Sequence, residues 1–417
     1  MSKKGFFNSF DDVVIVDGVR TPMVDYCGAL GHLSPTDLGI KAAREALKRA
    51  GIAASEIGSV ITGNMAPGDF DQFVLPRHIG LYAGVPVEVP AIMTQRICGT
   101  GFELFRQAGE QIEAGVCDAA LVVGTESMTR NPIAAFDHRT GFKLGAPVGF
   151  KDYMWEALKD PAPGINMIQT AENLAKKYSI AREDVDAFAS SSFAKAVAAQ
   201  ESGFLAGEIV PVVTEKFEIE GGYKPRGIKL QGKVTEVALD THPRPSPIEV
   251  LAKLKPVYEG GVQTGGNSSA LVDGAAACVV TSGAYAKAQG KKPLARVVAA
   301  AAVGVPPEIM GIGPAPAIRL LLERAGLQLS DIARFEINEA QGAQTLAVGR
   351  ELGLDLSKLN VNGGAIALGH PLAATGVRLT LTLARELRRS GQRWGISSAC
   401  VGGGQGIALL IENPDAA

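Results

Sequence analysis

ERAGLQLSDIARF, Glu323 to Phe335, aligns without a gap on KRAGIAASEIGSV, Lys48 to Val60. Arg324, Ala325, Gly326, Ser330 and Ile332 stand over Arg49, Ala50, Gly51, Ser55 and Ile57. Further on, Thr375 and Gly376 stand over Thr100 and Gly101, again 275 positions apart. A spacing that persists so far along the chain marks a duplicated unit. The first copy shows what is duplicated. Val13–Pro22 reads as a strand, LGIKAAREALKRAGI as a helix closed by Gly51 at C′, SEIGSVITGN as a capped turn and buried strand, and Gly115–Thr129 as containing another apolar strand. That rhythm predicts a layered α/β core made of two similar halves.

The second copy also exposes an insertion. ISSACVGGGQGIALLIE runs from one strand straight into the last, whereas in the first copy a long excursion separates GTESMT from DGAAACVVTS, Asp273 to Ser282. The expected units are residues 1–128 with 271–291 as the first half, 129–270 as an inserted loop domain, and 292–417 as the second half. The insertion carries two helical stretches, NMIQTAENLAKKY and REDVDAFASSSFAKAVAAQESG, and then becomes rich in Gly, Pro and basic residues. Excursions above a rigid core are where substrate surfaces tend to lie.

Composition removes several function classes. At 417 residues the chain exceeds what one core accommodates, and 46% hydrophobic against 20% charged residues excludes wholesale disorder. A net charge of −2 supplies no overall cationic field, so no nucleic-acid partner is expected. The apolar run around Val297–Val305 falls short of the ~20 residues a membrane span needs, so no membrane insertion is expected. The five cysteines are dispersed, with no CxxC pair and no clustering with the five histidines, and neither disulfides nor a structural metal are expected. The start of the chain, with Asp11 and Asp12 and no Arg-rich amphipathic pattern, makes the cytoplasm the expected location, and NPDAA is not a peroxisomal address.

Chemistry concentrates in four turns. RICGTG, Arg96–Gly101, precedes a helical stretch, which sets Cys98 at a helix start where free N–H groups and the dipole favour thiolate, so a thiol pKa below the free value of ~8.5 is expected. By itself a cysteine there is more often a small buried hydrophobe. The repeat places Ala373 over Cys98, so GGAIALGHPLAATG is the second half's version of that turn, and it carries His370. Packing the two halves together predicts that Cys98 and His370 meet at the sheet edge where α/β proteins present ligands. SSACVGGGQG offers Cys400 and glycines whose N–H groups can approach an oxyanion, whereas no GxxxxGK[ST] phosphate loop is present. Asn338 ends the strand ARFEIN, where a polar side chain is either a helix cap or a site residue.

These stretches, taken in order, resemble the thiolase family. They are CGTG at Cys98, GTESM at 124–128, NMxxTAEN at 166–173, GNSS at 266–269, INEA at 337–340, GGAIALGHP at 363–371 and CVGGGQG at 400–406. The resemblance covers nearly the whole chain. It implies the thiolase fold, an α/β architecture of two βαβαβαββ halves in a five-layered αβαβα core with an inserted loop domain. It also implies an acyltransferase that cleaves 3-ketoacyl-CoA with CoA, or runs the reverse condensation.

Carried over residue by residue, the resemblance makes Cys98 the acyl-accepting nucleophile, His370 its base, Cys400 the acid/base at the α-carbon of acetyl-CoA, and Asn338 the holder of a water that stabilises the enolate oxygen. The backbone N–H groups of Cys98 and Gly402 would form an oxyanion site, the loss of one such donor typically costing ~3 kcal/mol. Ser269, Met167 and Arg244 would lie along the bound CoA substrate. No metal or organic cofactor is implied, CoA itself being a substrate. A homodimer or homotetramer, and a partner subunit of a fatty-acid oxidation complex, are the expected associations. Asn166 and Ala373 depart from the family pattern of His and Gly, which leaves the acyl group open. A ketoacyl synthase pairs one cysteine with two polar partners and lacks a second cysteine like Cys400. The other alternative, a non-catalytic acyl-CoA or lipid-binding member of the fold, would not need every catalytic position filled.

Overall fold

The computed structural model describes residues 5–136 and 138–416. The core strands and helices of the first half are β1 (Phe6–Ser9), β2 (Val13–Arg20), α1 (Pro35–Ala50), β3 (Ser59–Gly63), α2 (Leu75–Tyr82), β4 (Ala91–Thr94), α3 (Thr100–Glu113) and β5 (Ala119–Ser127). The insertion contributes α4 (Met167–Lys177) and α5 (Arg182–Glu201), and β6 (Val272–Ser282) closes the first half. The second half is β7 (Ala295–Gly304), α6 (Pro314–Ala325), β8 (Arg334–Ile337), α7 (Gly342–Leu352), α8 (Ala365–Leu368), α9 (Leu372–Ser390), β9 (Trp394–Val401) and β10 (Gln405–Glu412).

The duplication is visible in the caps. Gly51 and Gly326 close α1 and α6 in the same left-handed conformation, φ 60° and 71°. Both are followed by one 3-10 turn, Ala54–Glu56 and Leu329–Asp331, and then by β3 and β8. Strand order is β8-β9-β10-β7-β2-β6-β5-β3-β4. The two half-sheets are continuous through β2 and β7, which pair only at Ile15↔Ala295 and Val14↔Arg296. β1, which the sequence reading did not assign, pairs with β7.

Alternation along the strands builds the five layers. On β6, Ala276, Cys278 and Val280 enter a central cluster, while Ala275, Ala277 and Val279 face α1 and α2. On β10, Ile407, Leu409 and Ile411 enter the same central cluster, while Ala408 and Leu410 face α6 and α7. Helices α3 and α9 lie between the sheets, where Gly101 and Gly376 touch each other. A Cβ on Gly101 would stand 2.5 Å from the nitrogen of Val377, and one on Gly376 would stand 2.4 Å from the nitrogen of Phe102. The residues that the repeat equates are therefore also the ones in contact across the pseudo-dyad.

The first half has the full βαβαβαββ order; in the second, among the described residues, the place of β4 is taken by a single parallel bridge between Phe335 and Leu359. Asn360, at φ 45°, stands in for the missing strand: its side chain accepts from Ile337 N–H and donates to Ile337 C=O, both at 2.9 Å. The amide thus satisfies the edge of β8 in place of a neighbouring strand.

The insertion is fastened by a buried charge cluster. Arg20 on β2 binds Asp240 through two nitrogens, at 2.6 and 2.8 Å, and Glu208 through Nε at 2.6 Å. Glu208 in turn accepts from Thr382 of α9 at 2.9 Å. Among the described residues no helix is long and apolar enough to cross a membrane.

Candidate active site

Between β4 and α3 the chain makes one tight turn, Ile97–Gly99, with Ile97 at φ 45°. A β-branched residue there is strained, so the turn must be held. Thr100 holds it, accepting from Arg96 N–H at 2.8 Å and donating to Ile97 C=O at 2.7 Å. Arg96 reaches Glu103 and Gln405, both at 3.1 Å, tying the turn to the start of β10. Gly99 has no room for a side chain, since a Cβ would sit 2.8 Å from Val401.

Cys98 is buried, and the backbone N–H groups of Gly402 and of Cys98 itself face its sulfur and favour its thiolate form. Burial nevertheless pushes the thiol up to about 12, and the Glu126 carboxylate adds to the rise. This corrects the expectation of a lowered pKa. The helix-start N–H groups are present, but desolvation outweighs them. The resting group is a thiol.

In the second half, Gly369, at φ 94° and with Val272 2.4 Å from where a Cβ would be, delivers His370 ahead of α9. His370 is buried and pulled down to about 3, first by burial and then by the charge of Arg378, so it is a neutral imidazole. Its Nδ1 lies 2.6 Å from Thr375 Oγ1 and its Nε2 lies 3.3 Å from Asn338 Nδ2. An amide nitrogen only donates, so Nε2 carries the lone pair and Nδ1 the hydrogen. Asn338 Oδ1 is buried without a hydrogen-bond partner among the described residues.

Cys400, fully buried near the end of β9, packs with Met310, Ala340 and Met167. Burial raises its thiol strongly, and a charge on Cys98 would raise it further. The following turn places Gly403 and Gly404 at φ 78° and 84°, with Val305 C=O 2.3 Å from where a Cβ on Gly404 would be. Together Cys98, Gly402, Gly403, Met167, Leu372, Met65, Ile97 and Ala157 line a cavity of about 180 Å³. A second cavity of about 640 Å³ shares Met65, Ile97 and Ala157 with it and extends to Phe136, Tyr153 and Lys151.

The remaining sequence-derived residues distribute as follows. Met167 opens α4 and lines the Cys98 cavity. Ser269 donates its N–H to Ala340 C=O at 3.1 Å, beside the Asn338 turn. Arg244 is exposed, stacks on Phe193 with 5.2 Å to the ring centroid and binds the His242 carbonyl at 3.0 Å, and it does not line the Cys98 cavity. Asn166 is explained by local structure. It forms a capping box with Gln169 and donates to Tyr258 Oη at 2.6 Å.

The sequence reading missed Thr375 as the partner of His370, although its own alignment had paired Thr375 with Thr100. It placed Glu339 in the Asn338 turn without giving it a role; Glu339 accepts from Ser192, Asn360 and Ile366 N–H and so fixes the backbone ahead of His370.

A thiol facing two N–H groups, a neutral imidazole of assigned tautomer and a second buried thiol are parts that suit an acyltransferase. The family models of the thiolase N-terminal and C-terminal domains match residues 13–284 and 291–413. Mitochondrial 3-ketoacyl-CoA thiolase of Bos taurus is 43% identical over 96% of this chain and 98% of its own, and a beta-ketothiolase of Cupriavidus necator is 41% identical over 96% and 99%. The solved structure of human mitochondrial 3-ketoacyl-CoA thiolase in complex with CoA superposes with a TM-score of 0.90 at 40% identity, covering 98% of both chains. The chain belongs to the thiolase family.

Proposed function

We propose that the protein cleaves 3-ketoacyl-CoA with CoA to acetyl-CoA and a shortened acyl-CoA, or runs the reverse condensation, through an acyl-Cys98 intermediate. The observation that carries this reading is the sulfur of Cys98 set against the N–H groups of Cys98 and Gly402. As the sulfur attacks the 3-keto carbonyl, its proton passes to Nε2 of His370, the unprotonated nitrogen, whose lone pair exchanges the bond from Asn338 Nδ2 for the proton. The carbon–carbon bond breaks, acetyl-CoA leaves as its enolate, and Cys400 protonates the α-carbon. Asn338, with a water on its unpaired Oδ1, stabilises the enolate oxygen. CoA then takes the acyl group from Cys98 in the second half of a ping-pong cycle. Burial makes an imidazolium costly at His370, which favours its passing the proton on promptly.

Met167 and Ser269 are proposed to border the pantetheine, and exposed Arg244 to meet the nucleotide end. The larger cavity adjoining Cys98 through Met65, Ile97 and Ala157 supports acyl groups longer than acetyl. For self-association, β4 is an open sheet edge with Ile92 half exposed, and Phe70 and Phe73 lie almost fully exposed on the loop between β3 and α2. We take this edge as the homodimer face, with tetramer formation or a fatty-acid oxidation partner as further steps that light scattering and co-purification would reveal.

The deciding experiment is thiolysis of 3-ketoacyl-CoAs of graded length, with mass spectrometry of the trapped acyl-enzyme. Expected is an acyl adduct on Cys98, a kcat/KM that rises beyond the four-carbon substrate, and loss of at least 1,000-fold in Cys98→Ser. A wild-type enzyme that traps no acyl group would sink the mechanism, and a kcat/KM that falls with length would sink the chain-length reading.

A further inference from the structure

Glu126 is fully buried at the end of β5, and the chemistry assigned to Cys98, His370, Asn338 and Cys400 does not use it. Its carboxylate accepts four hydrogen bonds from two halves of the molecule. Oε1 takes Asn64 Nδ2 at 3.0 Å and Ala66 N–H at 3.1 Å, and Oε2 takes Met65 N–H at 3.0 Å and Ala373 N–H at 3.1 Å. The first three donors belong to the loop after β3. The fourth belongs to the first turn of α9, three residues beyond His370.

Helix α9 has Pro371 at its N-cap and no side-chain cap of its own. Its early N–H groups therefore need an acceptor from elsewhere. Glu126 supplies one from the other half of the duplication. The two backbones also meet here, since a Cβ on Gly124 would stand 2.3 Å from Ala373 C=O. Met65, itself one of the donors, and Leu372, next to Ala373, both line the cavity at Cys98. One carboxylate thus fixes two walls of that cavity relative to each other.

We propose that Glu126 is a positioning residue: it caps the His370 helix from the opposite half and sets that helix against the Met65 wall over Cys98. The proposal rests on Cys98 and His370 being nucleophile and base. The carboxylate is held at a cost. Burial first, and to a smaller extent the neighbouring Asp273 on β6, lift it to about 7 despite the N–H donors. Its charge also raises the Cys98 thiol, so charge and position have separable signatures.

The test compares Glu126→Gln and Glu126→Asp with wild type, scoring thiolysis per iodoacetamide-titratable Cys98 and the pH profile of that alkylation. Gln removes the charge and sets an NH2 group against N–H donors. Its kcat should fall at least tenfold with KM for CoA within twofold, while the alkylation profile moves to lower pH. Asp keeps the charge but is one methylene too short to hold both walls, so its kcat should fall while its alkylation profile stays near that of wild type. The proposal is overturned if either variant keeps wild-type kcat per titrated thiol, or if KM for CoA rises in step with the loss. If wild type itself forms no acyl-enzyme, the underlying mechanism fails and the proposal with it. An acylating wild type beside an unaffected Glu126→Gln overturns the proposal alone.

Discussion

Thr100 and Thr375 occupy the same place in the duplicated halves, two positions past Cys98 and its counterpart Ala373, and they do different work. Thr100 spends its hydroxyl on the backbone, bridging Arg96 N–H and Ile97 C=O so that a strained turn can present the thiol. Thr375 spends its hydroxyl on the side chain of His370, 2.6 Å from Nδ1. The first half holds a thiol in a rigid turn, and the second holds an imidazole in one tautomer. Duplication supplied two equivalent turns at one point of contact, and their divergence made an asymmetric site from a symmetric frame.

The contact itself is the most sensitive place to break this comparison. Gly376→Ala, or its mirror Gly101→Ala, drives a Cβ into the facing backbone, which cannot move aside as a flexible side chain would. Either should abolish folded, soluble protein or lower the thermal midpoint by more than 10 °C. Wild-type melting of both variants would refute the close approach of α3 and α9. A finer probe is the threonine pair. Thr375→Val should lower kcat about 10- to 100-fold with little change in melting, because the imidazole loses its orienting partner. Thr100→Val should instead lower the melting temperature by a few degrees, two hydrogen bonds being worth about 1 kcal/mol each. Equal effects on both properties in both variants would dissolve the distinction.

The smallest expected effect is electrostatic and opposes the first half's buried acid to the second half's buried base. His370, pulled from 6.5 down to about 3, contributes stability above pH 6.5 that is lost as pH falls toward 3. Glu126, lifted from 4.5 to about 7, contributes stability below pH 4.5 that is lost as pH rises through 7. Glu336, lifted to about 8, acts in the same direction as Glu126. Between pH 6.5 and 8 the His370 contribution is complete while the two acids still act, so the melting temperature should decline over that interval, and less steeply in Glu126→Gln. A midpoint that rises there would contradict the burial of these carboxyls as charged groups.

Much of this architecture was legible in advance because duplication converts sequence spacing into spatial symmetry. Gly51 and Gly326, Thr100 and Thr375, Gly101 and Gly376 could be paired before any coordinates, and the strand-to-strand turn around Cys400 followed from the missing insertion. The acidity of Cys98 was misjudged for a definite reason. A helix start is a local feature that a sequence displays, whereas desolvation depends on what packs over the thiol, and those residues come from Met128, Met154 and Leu372, far apart in the chain. The absent strand of the second half was hidden likewise, because Asn360 replaces it only through a side chain folded back on Ile337.

The sequence by itself determined the duplicated α/β frame, the place of the insertion and the four turns that carry Cys98, Asn338, His370 and Cys400, since these depend on periodicity, glycine placement and a repeat that one chain contains in full. The tertiary structure alone decided the tautomer of His370, the protonation of Cys98 and the bond from Glu126 to Ala373. Each of these depends on a donor, an acceptor or a layer of excluded water brought from another part of the chain, and only folding brings those partners into contact.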